Sequence, residues 1–225
     1  MINHLIFDLD GTLIDSALVC TDILNQMLRE RGSTRVISAD VAKPYCSRGG
    51  IHMVSGLLGD DCGDPHREIA EFRRRYSTWP TPHNSLFPGV HKGLRDLANA
   101  GFNLSVCSNK PQYLCEKVLS DLGLSSLFSA VVGSLPDRPL KPHPFLLERT
   151  LSSLDADPEE ALFIGDSHLD EGIAASVGVP FLFVSYGYAE DGMDVSSLMA
   201  FDRFEDVVQS IRLEHAPEMA IRRVA

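Results

Sequence analysis

The stretch LIFDLDGTLIDS, from Leu5 to Ser16, places two aspartates directly after a short apolar run. The run His4–Phe7 is almost unbroken, which is typical of a strand buried on both faces of a parallel sheet. Asp8 and Asp10 follow at the predicted end of this strand, and a glycine and a threonine come next. Carboxylates two residues apart repel each other. The groups that offset this repulsion must come from elsewhere in the chain.

Composition limits the classes of function. The chain has 225 residues, 44% of them hydrophobic, and a formal net charge of −11. This charge argues against binding nucleic acid or an anionic membrane, and an anionic substrate needs a local positive site. The five cysteines include no CxxC pair and indicate reduced thiols. With no signal-peptide pattern and no apolar run of membrane-spanning length, we expect a soluble, cytoplasmic protein.

Alternation of apolar runs with helical patterns predicts an α/β fold with a Rossmann-like open parallel sheet. Each run is short and nearly unbroken, as expected for a buried strand. The further predicted strands are Asn103–Cys107, Ala130–Val132, Ala161–Ile164 and Phe181–Val184. The predicted helices are His91–Ala100, Tyr113–Leu122, Pro144–Leu154 and Asp170–Val177.

The first connection differs from the others, because it contains no convincing strand between Ser16 and Leu86. Its segments have helical patterns, and the proline-rich stretch Pro80–Val90 is typical of a return linker. We therefore predict a helical subdomain, residues 16–84, inserted into an α/β core of residues 1–15 and 85–225. The helix-like segments are Ala17–Gly32, Ser38–Cys46, Gly50–Gly59 and His66–Trp79.

Polar side chains follow several predicted strands. In open α/β sheets, ligands bind beyond the carboxyl ends of the strands, so these side chains are expected to meet there. Four carboxylates at one edge do not all stay ionised without a cation, and oxygen ligands alone select a hard ion, above all Mg²⁺. The residues concerned are Asp8, Asp10, Ser108, Asn109, Lys110, Lys141, Asp166 and Asp170.

Lysine and serine beside an acidic cluster are consistent with an anion that also binds the metal, and phosphate fits this description. Ser108 and Asn109 precede a helical pattern that begins near Pro111, where backbone N–H groups favour phosphate oxygens. One carboxylate is then able to attack phosphorus while a second handles protons.

Four motifs in this order resemble the haloacid dehalogenase-like (HAD) phosphohydrolase superfamily over nearly the whole chain. They are DLDGTL, SNK, LKP and GDSHLD, and a helical insert follows the first. The chain is most similar to the phosphoglycolate-phosphatase-like branch, in which the insert is a helical cap over a HAD core. The segments LFPGV and VSYGYAEDG also resemble that branch.

The resemblance implies a role for each motif residue. Asp8 would be the nucleophile that forms an aspartyl-phosphate, and Asp10 the general acid and then the base. Ser108 would hydrogen-bond the phosphoryl group, and Lys141 would neutralise it. Asp10 would bind the metal through its backbone carbonyl, and Asp170 would support the metal's water shell. The implied Mg²⁺ site comprises Asp8, Asp10, Asp166 and Asp170.

Substrate binding is expected from both parts of the chain. Thr12 and Asn109 are the candidates near the phosphate. In the insert, CSRGG falls where substrate loops of such caps occur, so Arg48 and Lys43 are candidates for binding a second anionic group. The alternative for this pair is a solvated surface. The basic run Phe72–Tyr76 is interpreted as a solvated helix face.

The preferred function is a Mg²⁺-dependent phosphatase acting on a small anionic phosphorylated metabolite similar to phosphoglycolate. One alternative is a phosphotransferase of the β-phosphoglucomutase type, because Ser47 and Arg48 resemble its cap motif. Another is a catalytically silent HAD-fold binding protein. The sequence does not decide between a monomer and a homodimer.

Overall fold

The computed structural model describes residues 1–46, 50–188 and 199–215. Within them, the strands form one parallel sheet in the order β3-β2-β1-β4-β5-β6, which confirms the predicted fold class. The central position of β1 explains why its apolar run is unbroken, since it has a strand on each side and helices on both faces. The strands are β1 (His4–Phe7), β2 (Asn103–Pro111), β3 (Phe128–Ser134), β4 (Ala161–Gly165), β5 (Phe181–Val184) and β6 (Ala200–Phe201).

Helices connect these strands. The first connection holds α1 (Ala17–Glu30), α2 (Ala39–Cys46), α3 (Gly50–Leu58) and α4 (Pro65–Tyr76), followed by α5 (Val90–Asn99) before β2. The remaining helices are α6 (Gln112–Asp121), α7 (Phe145–Leu154), α8 (His168–Val177) and α9 (Phe204–Glu214). Among the described helices, none has the length and apolar character that crossing a membrane requires.

Side chains of β1 alternate between the two faces of the sheet. Leu5 and Phe7 belong to a large apolar cluster that also contains buried residues of α1, α4, α5 and α9. Ile6 faces the opposite side and packs in a second cluster with residues of α7 and α8. Apolar burial on both faces leaves the carboxyl ends of the strands as the place where polar side chains gather.

The two ends of the helical connection lie side by side. Ile14 and Leu86 form an antiparallel bridge, and the Asp15 N–H donates to the Ser85 carbonyl oxygen at 2.7 Å. The chain therefore leaves the sheet and returns to it at one place. The division into residues 16–84 and the two core segments stays a prediction.

Two elements near the end of the described chain were not predicted. Strand β6 is only two residues long, too short to give an apolar run. Helix α9 packs closely on α5. A Cβ atom at Gly93 would lie only 2.7 Å from side-chain carbons of Phe204 and Val208. The glycine thus allows the two helices a close approach.

Candidate active site

Asp8 lies directly after β1 and is paired with a buried lysine. Its Oδ1 atom is 2.9 Å from Lys141 Nζ, and the same ammonium is 2.6 Å from Asp170 Oδ1. Burial raises the pKa of Asp8 to about 6, because lost hydration outweighs the attraction of Lys141. Burial alone would lower the pKa of Lys141, but Asp170 and Asp8 raise it above its ordinary value. Lys141 therefore stays charged beside Asp8.

Asp10 is paired with a second lysine, Lys110. Lys110 Nζ lies 2.9 and 3.1 Å from the two carboxylate oxygens of Asp10, and the lysine side chain is only 7% exposed. The same ammonium lies 4.5 Å from the centroid of the Tyr76 ring in α4. Burial acts to lower the pKa of Lys110, but the Asp10 carboxylate raises it well above its ordinary value. Two separate ammonium groups thus offset the repulsion between Asp8 and Asp10.

Asp166 follows β4 and is held by two donors. Thr12 Oγ1 donates to Oδ1 at 3.0 Å, and the Tyr188 N–H donates to Oδ2 at 2.6 Å. A Cβ atom at Gly11 would lie 2.1 Å from Asp166 Oδ2, and the φ of Gly11 is +87°, so only glycine fits this turn. Burial raises the pKa of Asp166 well above its ordinary value, and the charges of Asp170 and Asp8 raise it further.

Asp170 is fully buried in the first turn of α8, where it forms a reciprocal cap with Ser167. Its Oδ2 atom accepts hydrogen bonds from Ser167 Oγ at 2.6 Å, from the Ser167 N–H at 3.1 Å and from the Asp166 N–H at 3.3 Å. Its Oδ1 atom accepts from Lys141 Nζ. Asp170 therefore fixes the positions of Lys141 and of the turn that carries Asp166.

Three carboxylates of this site are suited to a divalent metal. Asp8, Asp166 and Asp170 are buried, and each offers an oxygen within 4.8 Å of the others. Asp8 Oδ1 forms no aligned hydrogen bond within the described residues, although the Lys141 ammonium is near. An oxygen-only set with one such atom left open fits a hard divalent cation. The Asp10 side chain is not in the set, and its predicted contribution was the backbone carbonyl.

Two of the residues predicted to bind phosphate, Asn109 and Thr12, form hydrogen bonds with other residues of the site. Asn109 Oδ1 accepts the Lys141 N–H at 2.7 Å, so this side chain fixes the loop that carries Lys141. Thr12 holds Asp166 through its hydroxyl group, as described above. Ser108 is buried, lies in β2 and lines the same cavity as Asp8. Direct contacts from Ser108, Asn109 and Thr12 to a substrate stay predictions.

A cavity lies between the edge of the sheet and the helices of the first connection. Its volume is about 100 Å³. We call its two sides the sheet wall and the helix wall. The sheet wall comprises Asp8, Asp10, Ser108, Lys110, Lys141 and Asp166. The helix wall comprises Cys20, Met53, Ile69, Phe72, Arg73 and Tyr76.

The prediction of a solvated face for Phe72–Tyr76 is wrong. Phe72 and Tyr76 are buried, and together with Ile69 and Arg73 they line the cavity at positions i, i+3, i+4 and i+7 of α4. The sequence interpretation treated the basic run as one surface, whereas a helix turns by about 100° per residue and separates its members. The periodicity of the apolar residues was the signal that could have identified this face.

The predicted basic residues of the insert lie elsewhere. Lys43 Nζ lies 3.5 Å from Asp40 Oδ1 and 3.8 Å from Asp15 Oδ2, and Lys43 is not among the described residues that line the cavity. Arg48 lies outside the described residues. Substrate binding by either residue stays a prediction.

The strand order and the acidic edge of the sheet define a doubly wound α/β protein with aspartates at its candidate site. A family model described as haloacid dehalogenase-like hydrolase matches residues 5–184, and the chain belongs to this family. The predicted family resemblance is thereby confirmed.

Curated relatives support a narrower class. The phosphoglycolate phosphatase of Rhodospirillum rubrum is 35% identical over 209 residues, which cover 89% of this chain and 86% of that protein. The phosphoglycolate phosphatase of Rhodobacter capsulatus is 34% identical over 197 residues, which cover 84% of this chain and 87% of that protein. These relatives confirm the prediction of a hydrolase that acts on phosphoric monoesters.

A solved structure shows the same fold. The predicted phosphoglycolate phosphatase from Haemophilus somnus 129pt superimposes with a TM-score of 0.77 at 25% identity. The superposition covers 93% of this chain and 97% of that one. The similarity therefore includes the sheet and the helices that form the two walls of the cavity.

Proposed function

We propose that this protein is a Mg²⁺-dependent phosphatase that hydrolyses phosphoglycolate, or a metabolite closely similar to it, through an aspartyl-phosphate on Asp8. The names of the relatives support the substrate class. The observation that carries the mechanism is the buried pair of Asp8 and Lys141, 2.9 Å apart, at the acidic edge of the cavity.

Asp8 is the nucleophile in this mechanism. An oxygen of its carboxylate attacks phosphorus, and the bond from phosphorus to the substrate oxygen breaks. Lys141 stabilises the negative charge that is shared between the phosphoryl group and Asp8. Asp170 accepts a hydrogen bond from the Lys141 ammonium, and Asn109 Oδ1 accepts one from the Lys141 backbone N–H. The ammonium is therefore positioned before the substrate arrives. Ser108 donates a hydrogen bond to a phosphoryl oxygen.

Asp10 handles the protons. Asp10 enters the reaction in its protonated form and donates that proton to the leaving oxygen. It then recovers a proton from the water that hydrolyses the aspartyl-phosphate, and this step regenerates Asp8. Lys110 contacts both oxygens of Asp10, so it sets the position from which the carboxylate acts. This contact must loosen on at least one oxygen when the proton moves.

Asp8 and Asp166 would hold Mg²⁺ together with the backbone carbonyl of Asp10, and Asp170 would support its water shell. When bound, the cation supplies charge neutralisation and orientation of the phosphoryl group. Burial of these carboxylates keeps bulk water away from the reacting atoms.

The helical connection is proposed to be a cap, residues 16–84, on a core of residues 1–15 and 85–225. Its helices supply the helix wall, and both of its ends meet at one place in the core. A cytoplasmic location is proposed because the free cysteines in the wall, such as Cys20, suit a reducing compartment.

A panel of phosphorylated metabolites tests the proposal, with phosphate release measured with and without Mg²⁺ and Asp8→Asn as the blank. Release from phosphoglycolate without any sugar bisphosphate supports the phosphatase. Turnover that requires a sugar bisphosphate would favour the phosphotransferase instead. Absence of turnover on every compound would favour a binding protein.

A further inference from the structure

Arg73 is the basic residue of α4 that faces the cavity. It lies four residues after Ile69 and three before Tyr76, and all three line the helix wall. The residue is half-buried, and neither Arg74 nor Arg75 is among the residues that line the cavity. This placement distinguishes it from the two arginines that follow.

The neighbouring arginines have carboxylate partners. Arg74 Nε lies 2.7 Å from Glu71 Oε2, and Arg75 Nη2 lies 2.6 Å from Glu30 Oε2. In contrast, no residue of the described ranges, 1–46, 50–188 and 199–215, forms a hydrogen bond or an ion pair with the Arg73 side chain. The Arg73 guanidinium, which has no protein partner among these residues, is therefore available to an anionic group of a ligand.

The other cations of the described cavity are already engaged. Lys141 is paired with Asp8 and Asp170, and Lys110 contacts both oxygens of Asp10. Of these three cations, Arg73 alone is left for a second anionic group on a substrate whose phosphate meets the sheet wall.

Space around the guanidinium is kept open by a glycine. A Cβ atom at Gly50 would lie 3.4 Å from Arg73 Nη2 and 2.8 Å from Ile69 Cδ1. Any larger residue at this position would therefore crowd the group. The surrounding side chains Met53, Ile69 and Phe72 are apolar, and a low-polarity wall strengthens an ion pair formed within it.

We infer that Arg73 binds a carboxylate at the non-reacting end of the substrate, so that the enzyme selects phosphomonoesters that carry one. The planar fork of arginine matches the two oxygens of a carboxylate. This inference rests on the proposed function, and it adds the residue and the chemical group by which that substrate is chosen.

The test compares three substrates: phosphoglycolate, its carboxamide counterpart of the same size, and a small aryl phosphate. The variants are Arg73→Ala, Arg73→Met, which keeps the apolar stem, Arg73→Lys, and the matched control Arg74→Ala. Arg73→Ala and Arg73→Met should lower kcat/KM for phosphoglycolate by about tenfold to a hundredfold. Both should leave the carboxamide and the aryl phosphate within about twofold, and Arg73→Lys should retain part of the selectivity.

Arg74→Ala should behave as the wild type on all three substrates, because its guanidinium is on the outer surface. Equal losses on all three substrates in Arg73→Met, or no loss on phosphoglycolate, would overturn the inference while leaving the proposed function standing. A wild-type protein that hydrolyses the aryl phosphate but not phosphoglycolate would overturn both the inference and the proposed substrate. These results are therefore distinguishable.

Discussion

On the sheet wall of the cavity, each carboxylate faces an ammonium group or a hydrogen-bond donor, whereas the described part of the helix wall presents mainly apolar side chains and the Arg73 guanidinium. The polar groups of the sheet wall come from several strand ends and hold one another in place. Those of the helix wall depend on the face that one helix turns toward the cavity. The proposed chemistry therefore belongs to the sheet wall, and the proposed choice of substrate belongs to the helix wall.

The largest effect is expected from removing the metal or its buried ligand. Activity should disappear with EDTA and return with Mg²⁺. Asp166→Ala should weaken Mg²⁺ binding and slow turnover by a hundredfold or more, on the order of 3 kcal/mol in the barrier. Kinetic assays across Mg²⁺ concentrations measure both effects. The exposed Asp60→Ala is the control, and full turnover after exhaustive chelation would exclude a metal from the sheet wall.

A smaller loss of activity is expected when Lys110, which contacts Asp10, is replaced. Lys110→Met deletes the ammonium that contacts both oxygens of Asp10, so the carboxylate loses its fixed position. We expect kcat to fall about tenfold, a fraction of what general acid–base catalysis contributes, and more on an alkyl phosphate than on an aryl phosphate with a good leaving group. Lys92→Met is the control, because that lysine is 83% exposed on α5. An unchanged kcat would show that the position of Asp10 does not depend on Lys110.

Motif order and apolar runs predict most of the sheet wall. The predicted bounds of β1 and β5 agree with the structure, because both strands are buried runs that end in polar residues. The motif aspartates then follow strands β1 and β4, which are neighbours in the sheet, so Asp8 and Asp166 meet. The pairing of Lys110 with Asp10 was missed because it depends on side-chain direction across neighbouring strand ends.

The helix wall was the part that the sequence predicted least well. Three consecutive arginines look alike in the sequence, and only the rotation of α4 relative to the cavity separates Arg73 from Arg74. Helix α9 was also missed, although its buried residues Phe204, Val207, Val208 and Ile211 have helical spacing. Tertiary placement, which a single sequence does not contain, decides both cases.

The smallest expected effect concerns pH and the stability of the metal-free protein. Burial raises the pKa of Asp8 from 3.8 to about 6, so between these pH values the folded state holds a proton that the unfolded state has lost. Stability from this group is therefore present below about pH 4 and is lost as the pH rises through 6. Asp8→Asn lacks this dependence.

Thermal unfolding with a chelator, from pH 4 to pH 7, measures this effect. The Tm of Asp8→Asn minus that of the wild type should increase with pH. The increase should be about 2–4 °C for each kcal/mol of unfolding free energy that the wild type loses. A difference that is constant or that decreases with pH would contradict the raised pKa. This result tests how much the buried Asp8 carboxylate depends on a bound cation to stay ionised.

The most direct test of the account is to locate the phosphoryl group on the protein. Wild type, Asp8→Asn and Asp10→Asn are mixed with an aryl phosphate and Mg²⁺, quenched with acid and analysed by peptide mass spectrometry. We expect a phosphoryl group on Asp8 that accumulates in Asp10→Asn, because the water step lacks its base, and that is absent from Asp8→Asn. A phosphoryl group on another residue, or turnover near the wild-type rate in Asp8→Asn, would contradict the assignment of the chemistry to Asp8.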